Sequence, residues 1–241
     1  MITIAVYGDS ISRGVTFDEN RGRYTYLKEG FDKLLEKRGI LKVINHSRFG
    51  ATAEEGFETY EKEPEADTKY IAIAFGGNDC TPDWKGASEN PDNYYPPKTS
   101  LNSFESTLRR FVNKVKSMGQ IPILVTPPPL VAERYVNWIS NGLNKDNILK
   151  YIGDIHHVYR WQEQYALAVH QAARRTRSYL FDLRAFFLRK PVLGALYCID
   201  GMHPNDKGHQ WIARAIERML PSLLQDIEDS AIYFDDESDE Q

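Results

Sequence analysis

Short β-branched apolar runs alternate along this chain with longer stretches whose apolar residues recur every three or four positions. The first run, Ile2-Thr3-Ile4-Ala5-Val6-Tyr7, breaks at Gly8 and reads as a buried strand. Residues 11–23 read as a polar loop, followed by a helix with Leu27, Phe31, Leu34 and Leu35 on one face. Leu41-Lys42-Val43-Ile44-Asn45 is the second strand, 53–60 a short helix and 69–75 the third strand. Asn102-Ser103-Phe104-Glu105 resembles a capping box, opening a helix that buries Phe104, Leu108, Phe111, Val112, Val115 and Met118. The fourth strand is 121–126, with Pro122 near its start. A helix carrying Trp161, Tyr165, Val169, Ala172, Ala173 and Thr176 leads to the fifth strand, 178–183. The last helix turns Trp211, Ile212, Ala215, Ile216, Met219 and Leu220 inward, with Pro204 in its first turn. Five strands alternating with helices predict an α/β fold, a three-layer, doubly wound, parallel five-stranded sheet joined by right-handed crossovers.

Two stretches interrupt this rhythm, at about 80–101 and 130–159, both following strands at the same edge of the sheet. Connections this long in compact domains are usually functional. Their aromatic residues, Trp84, Tyr94, Tyr95, Tyr135 and Trp138, either pave a pocket or form a small core beneath the loops. The chain of 241 residues is read as one domain over 1–225, followed by an acidic tail, 226–241. That tail holds eight Asp and Glu and no Lys or Arg, so the formal charge of −4 leaves the remainder near +4. A balance so small excludes the basic stripe that nucleic acid demands. Cys80 and Cys198 are too few for a disulfide framework and lack metal-site spacing. No signal-peptide pattern and no run of ~20 apolar residues is present, so with Met1 as the start a cytoplasmic protein without stable membrane association is expected.

The chemistry gathers where strands end. Ser10 follows Gly8 and Asp9 at the carboxyl end of the first strand, the edge at which open α/β sheets bind ligands. A serine nucleophile needs a base within hydrogen-bond reach and an acid to orient that base. Asp200 and His203 offer both, since a tight turn brings positions i and i+3 together. His46, His156, His157, His170 and His209 have no comparable partner spacing and read as surface or packing histidines, although the His156-His157 pair could enter a pocket from the second insertion.

Gly8-Asp9-Ser10 after strand one, Gly50 within Asn45-His46-Ser47-Arg48-Phe49-Gly50-Ala51-Thr52, Gly76-Gly77-Asn78-Asp79 after strand three and Asp200-Gly201-Met202-His203-Pro204 resemble the four blocks of the GDSL or SGNH hydrolase superfamily. Their order and spacing match along most of the chain, with Ile11 standing where the family's name has leucine. The resemblance implies strand order 2-1-3-4-5, as in flavodoxin, and a serine hydrolase without metal or cofactor. It implies Ser10 as nucleophile, His203 as general base, Asp200 as its orienter, and an oxyanion hole made by the Ser10 and Gly50 N–H groups and the Asn78 amide. Asp9 and Asp79 more simply fix turns. The expected substrate is a small-molecule carboxylic ester with a short acyl group, such as an O-acetylated carbohydrate. A thioesterase or lysophospholipase, or an acyltransferase, would use the same residues, and a catalytically silent binding module would keep the fold. A metal-dependent phosphoesterase built on Asp9, Asn78, Asp200 and His203 lacks the clustered ligands it would need.

Overall fold

A computed structural model of the chain describes residues 1–236. Strand β1 (Ile2–Gly8) lies one place in from the edge of a five-stranded sheet, flanked by parallel β4 (Leu41–Asn45) and β5 (Tyr70–Ala74). Beyond β5 lie β6 (Ile121–Val125) and β7 (Tyr179–Phe181), also parallel. The five strands of this sheet, counted in chain order, stand 2-1-3-4-5, as expected. The two remaining strands, β2 (Val15–Asp18) and β3 (Arg23–Tyr26), form a separate antiparallel hairpin.

The apolar run of β1 is continuous because the sheet is covered on both faces. Ala5 and Tyr7 point into a core made with α3 (Ala53–Lys62), α5 (Leu101–Ser117) and α8 (His157–Thr176). Ile4 and Val6 point the opposite way, toward α2 (Phe31–Lys37) and α10 (Asp206–Asp236). A third cluster, including Leu130, Tyr135, Val136, Ile152 and Val158, lies within the second insertion. That insertion folds as α6 (Ala132–Ile139) and α7 (Lys145–Ile152), and the first contains α4 (Trp84–Glu89).

Several boundaries differ from the sequence reading. The expected loop 11–23 contains α1 (Ser10–Arg13) and most of the β2–β3 hairpin, whose Thr16 Oγ1 and Phe17 N–H meet Cys198 Sγ at 3.2 and 3.4 Å. Leu27 precedes α2, which begins after Gly30. Ser100, rather than Asn102, caps α5 by accepting the Ser103 N–H, and the reciprocal capping box belongs to Thr52 and Glu55 on α3. Pro204 bridges to Tyr197 before α10, and the Asn205 side chain accepts the Gly208 N–H at that helix's start. Leu183 leaves the fifth strand to open α9 (Leu183–Leu188), capped by Asp182. The acidic segment begins inside α10, which continues from Asp206 to Asp236 and buries Ile227; residues 237–241 lie outside the described residues. Among the described residues, no helix is long and apolar enough to cross a membrane.

The contact of α3 with the sheet fixes one residue tightly. A Cβ on Gly56 would lie 2.0 Å from Cζ of the buried Phe75 ring. Glycine within an exposed helix costs about 1 kcal/mol relative to alanine, whereas overpacking a core costs about 1–3 kcal/mol. Gly56→Ala is therefore expected to lower the urea midpoint, contrary to helix propensity. An unchanged or raised midpoint would mean that Phe75 has room to move.

Candidate active site

The end of β1 is shaped by what surrounds Gly8. A Cβ there would stand 2.7 Å from Ser12 Oγ and 3.0 Å from the Ala74 carbonyl, so only glycine lets the chain turn between its neighbours. Asp9 then caps α1, its carboxylate accepting the Ile11 N–H at 2.9 Å, and Ser10 becomes the first residue of that short helix.

A second turn supplies the partners. Gly201 adopts φ +70°, and a Cβ on it would come within 2.7 Å of the Val131 carbonyl. The Cys198 N–H donates to the His203 carbonyl and the Gly201 N–H to the Cys198 carbonyl, closing the loop so that Asp200 and His203 face one another. His203 Nδ1 lies 2.7 Å from Asp200 Oδ2, and His203 Nε2 lies 2.9 Å from Ser10 Oγ. All three side chains are buried. Burial alone would raise the Asp200 carboxyl, but the His203 ring and the N–H groups of Met202 and His203 outweigh it and hold the group below its ordinary value.

Tyr24 joins this arrangement, although nothing in the sequence reading singled it out. Its hydroxyl donates to Asp200 Oδ2 at 3.0 Å, the same oxygen that faces His203. Burial and the nearby Asp200 carboxylate push the phenol pKa up, keeping Tyr24 a protonated donor. Its ring meets His203 edge-on at 5.0 Å, and Phe49 stacks parallel to His203 at 6.1 Å. Alternation of Phe17, Tyr24 and Tyr26 with polar residues was the available sign of a hairpin, but not of its destination.

The other expected site residues approach from the strands beside β1. Asn78, after β5, lines the cleft with Ser10 and His203. Its Nδ2 donates one hydrogen to the Ala51 carbonyl at 3.0 Å, leaving a second. Gly50, with φ +77°, precedes that carbonyl but does not itself line the cleft. The chain before it is anchored to β1, the Arg48 N–H donating to the Gly8 carbonyl. Asp79 turns away and accepts the Ala53 N–H at the start of α3. Burial raises Asp9 and Asp79 each to about 6.

The cleft measures about 610 Å³ out to open solvent. The insertion aromatics divide. Trp84 and Tyr135 line the cleft, joined by a 3.2 Å hydrogen bond from Trp84 Nε1 to the Tyr135 hydroxyl. Tyr95 packs on Tyr151, Tyr94 is exposed, and Trp138 lies against Phe17 and Tyr24 beside the Asp200–His203 pair. His156 and His157 are absent from the cleft lining. His46 stacks on Tyr7, His170 pairs with Asp182, and buried His209 accepts the Phe31 N–H, its pKa pushed down to about 4 by burial.

No curated protein matches the sequence. The lipase/acylhydrolase from Enterococcus faecalis shares the fold, with a TM-score of 0.61, 20% identity and coverage of 91% of this chain and 95% of that one. A mutant of an acetylxylan esterase from Geobacillus stearothermophilus gives a TM-score of 0.59 at 23% identity, covering 90% and 93%. The esterase EstA from Pseudoalteromonas gives 0.59 at 18%, covering 93% and 100%. Sequence profiles of known families match over residues 6–211 to the GDSL-like lipase/acylhydrolase family. That match spans every residue that lines the cleft, from Asp9 to His203, and the chain belongs to this family.

Proposed function

We propose that this protein hydrolyses a carboxylic ester through an acyl-enzyme on Ser10. The observation that carries the proposal is the unbroken hydrogen-bonded series from Ser10 Oγ through His203 to buried Asp200. In this reading His203 Nε2 takes the Ser10 proton as Oγ attacks the ester carbon. The tetrahedral oxyanion is met by the Ser10 N–H and the free amide hydrogen of Asn78, both on residues that line the cleft, and in the family's arrangement by the Gly50 N–H, which approaches from outside that lining. Collapse breaks the bond to the alcohol, which leaves with the proton from His203. Water, deprotonated in turn by His203, then cleaves the acyl-enzyme. Asp200 stabilises the imidazolium in both steps, and Tyr24 positions Asp200.

A short acyl group, such as the acetyl of an O-acetylated carbohydrate, is the substrate this reading favours. Aromatic side chains on both sides of the catalytic residues suit a sugar ring, and one structural relative is named as an acetylxylan esterase. Hydrolysis of p-nitrophenyl esters of increasing acyl length, with Ser10→Ala in parallel, tests the proposal. Turnover greatest on acetate and abolished in the variant is expected. Turnover that survives Ser10→Ala would overturn the serine mechanism, and a preference for long chains would overturn the acyl assignment.

Two further substitutions separate the assigned roles. Asn78→Ala removes an oxyanion donor and is expected to lower kcat by ~10²–10³, roughly 2.7–4 kcal/mol, with little change in KM. Tyr24→Phe removes only one donor to Asp200, making that carboxylate a stronger base toward His203. The expected result is a kcat loss of about tenfold, the scale of one hydrogen bond to a charged group, with the acid limb of the kcat/KM profile moved to higher pH. An unmoved pH profile would assign Tyr24 to packing alone.

A further inference from the structure

Beneath the cleft lies a buried cation that the proposed chemistry does not use. Arg184, on α9, is nearly inaccessible. Its Nη1 donates to Gln162 Oε1 at 3.0 Å and to the Pro127 carbonyl at 3.4 Å, it pairs with Glu163, and its guanidinium stands 4.9 Å from the centre of the Tyr159 ring. Gln162, on the second turn of α8, is 5% exposed, yet it lines the same cleft as Ser10 and His203.

The chemistry of the pair settles which way the amide faces. Guanidinium has donors only, so it can hold Gln162 solely through the amide oxygen. The amide nitrogen must then point away from Arg184, and Nε2 is not one of the fully buried polar atoms left without a partner, so it is open to the cleft that Gln162 lines. Its surroundings in the cleft are mostly apolar, including Trp84, Leu130, Val158 and Trp161. One oriented donor among apolar walls is the arrangement by which pockets read polarity.

Resting on the ester-hydrolase reading above, we infer that Gln162, locked by Arg184, is a specificity-determining residue that selects a substrate group bearing a hydrogen-bond acceptor oxygen over a hydrocarbon group of the same shape. Arg184, which holds Gln162, also reaches the Pro127 carbonyl just beyond β6, and β6 stands two strand spacings, on the order of 10 Å, from the strand that carries Ser10. A five-carbon acyl group with an oxo oxygen, or the hydroxyl of a sugar ring, spans such a gap. The two sources share one chemistry, an oxygen accepting from Gln162 Nε2.

Two pairs of esters distinguish them. On the acyl side, p-nitrophenyl 4-oxopentanoate is compared with p-nitrophenyl 4-methylpentanoate, in which a methyl group replaces the oxygen. On the alcohol side, the acetate of a methyl xylopyranoside is compared with cyclohexyl acetate. Each kcat/KM ratio is measured for the wild type, Gln162→Leu and Gln162→Glu. Ratios within a pair compared across enzymes cancel the intrinsic reactivity of each ester. Gln162→Glu keeps an acceptor for Arg184 while removing the donor, so it guards against misfolding of the leucine variant.

In one of the two pairs the wild-type preference for the oxygen-bearing ester is expected to fall by about tenfold or more in both variants, the worth of one hydrogen bond. The pair that responds identifies the source. Equal ratios in all three enzymes for both pairs would overturn the inference and leave Gln162 as a structural acceptor for Arg184. p-Nitrophenyl acetate, assayed with Ser10→Ala, reports on the hydrolase reading separately, because the acetyl group is too short to reach Gln162.

Discussion

The hydrogen bond between His203 and Ser10 joins residues 193 positions apart, and the rest of the molecule is arranged so that it can form. Ser10 leaves an inner strand of the sheet, so that the loops after β4 and β5, which carry Gly50 and Asn78, flank it on either side. His203 must enter from the start of the last helix, which packs against the opposite face from α3, α5 and α8. A sheet buried on both faces meets these demands, since alternate β1 residues anchor each layer of helices. Glycine at positions 8 and 201 lets the two loops approach where any side chain would collide.

Around that bond the chain distributes electrostatics unevenly. Asp200 is kept ionised in a buried place by the His203 ring and backbone N–H groups, with Tyr24 donating as well. Asp9 and Asp79, also buried but with desolvation outweighing the groups that donate to them, are pushed up to about 6. The three carboxylates thus differ by surroundings rather than by kind. Arg184 is balanced by Glu163 and by the oxygens of Gln162 and Pro127. The cleft consequently has a polar floor beneath apolar walls, with the β2–β3 hairpin and Trp138 closing the side next to His203.

Local rules made much of this legible in advance. A strand too apolar for one-sided burial, glycine turns at strand ends and an Asp and His three residues apart on a turn are short-range signals, and they pointed to the parallel sheet and the Asp200–His203 contact, whereas the strand order came from the family resemblance. What escaped was non-local. The hairpin carrying Tyr24 is stabilised by contacts with Cys198 and Asp200, more than 170 residues away, and its alternation is too short to stand out within a polar stretch. Trp84 and Trp138 are alike in sequence context, yet one lines the cleft and the other backs the Asp200–His203 pair, because different helices carry them. Neither Gln162 nor Arg184 stands in a motif that the sequence alone would single out. Only the packing of α8 against the end of β6 makes one the keeper of the other.

The account stands most directly on whether Ser10 itself carries the acyl group. Rapid acid quenching of the full-length protein with p-nitrophenyl acetate, followed by mass spectrometry of its peptides, measures this. The peptide containing Ser10 is predicted to gain the mass of one acetyl group before steady state, with no gain in His203→Ala. An acetyl group found on another residue, or release of acetate with no covalent species even when deacylation is slowed, would contradict the account.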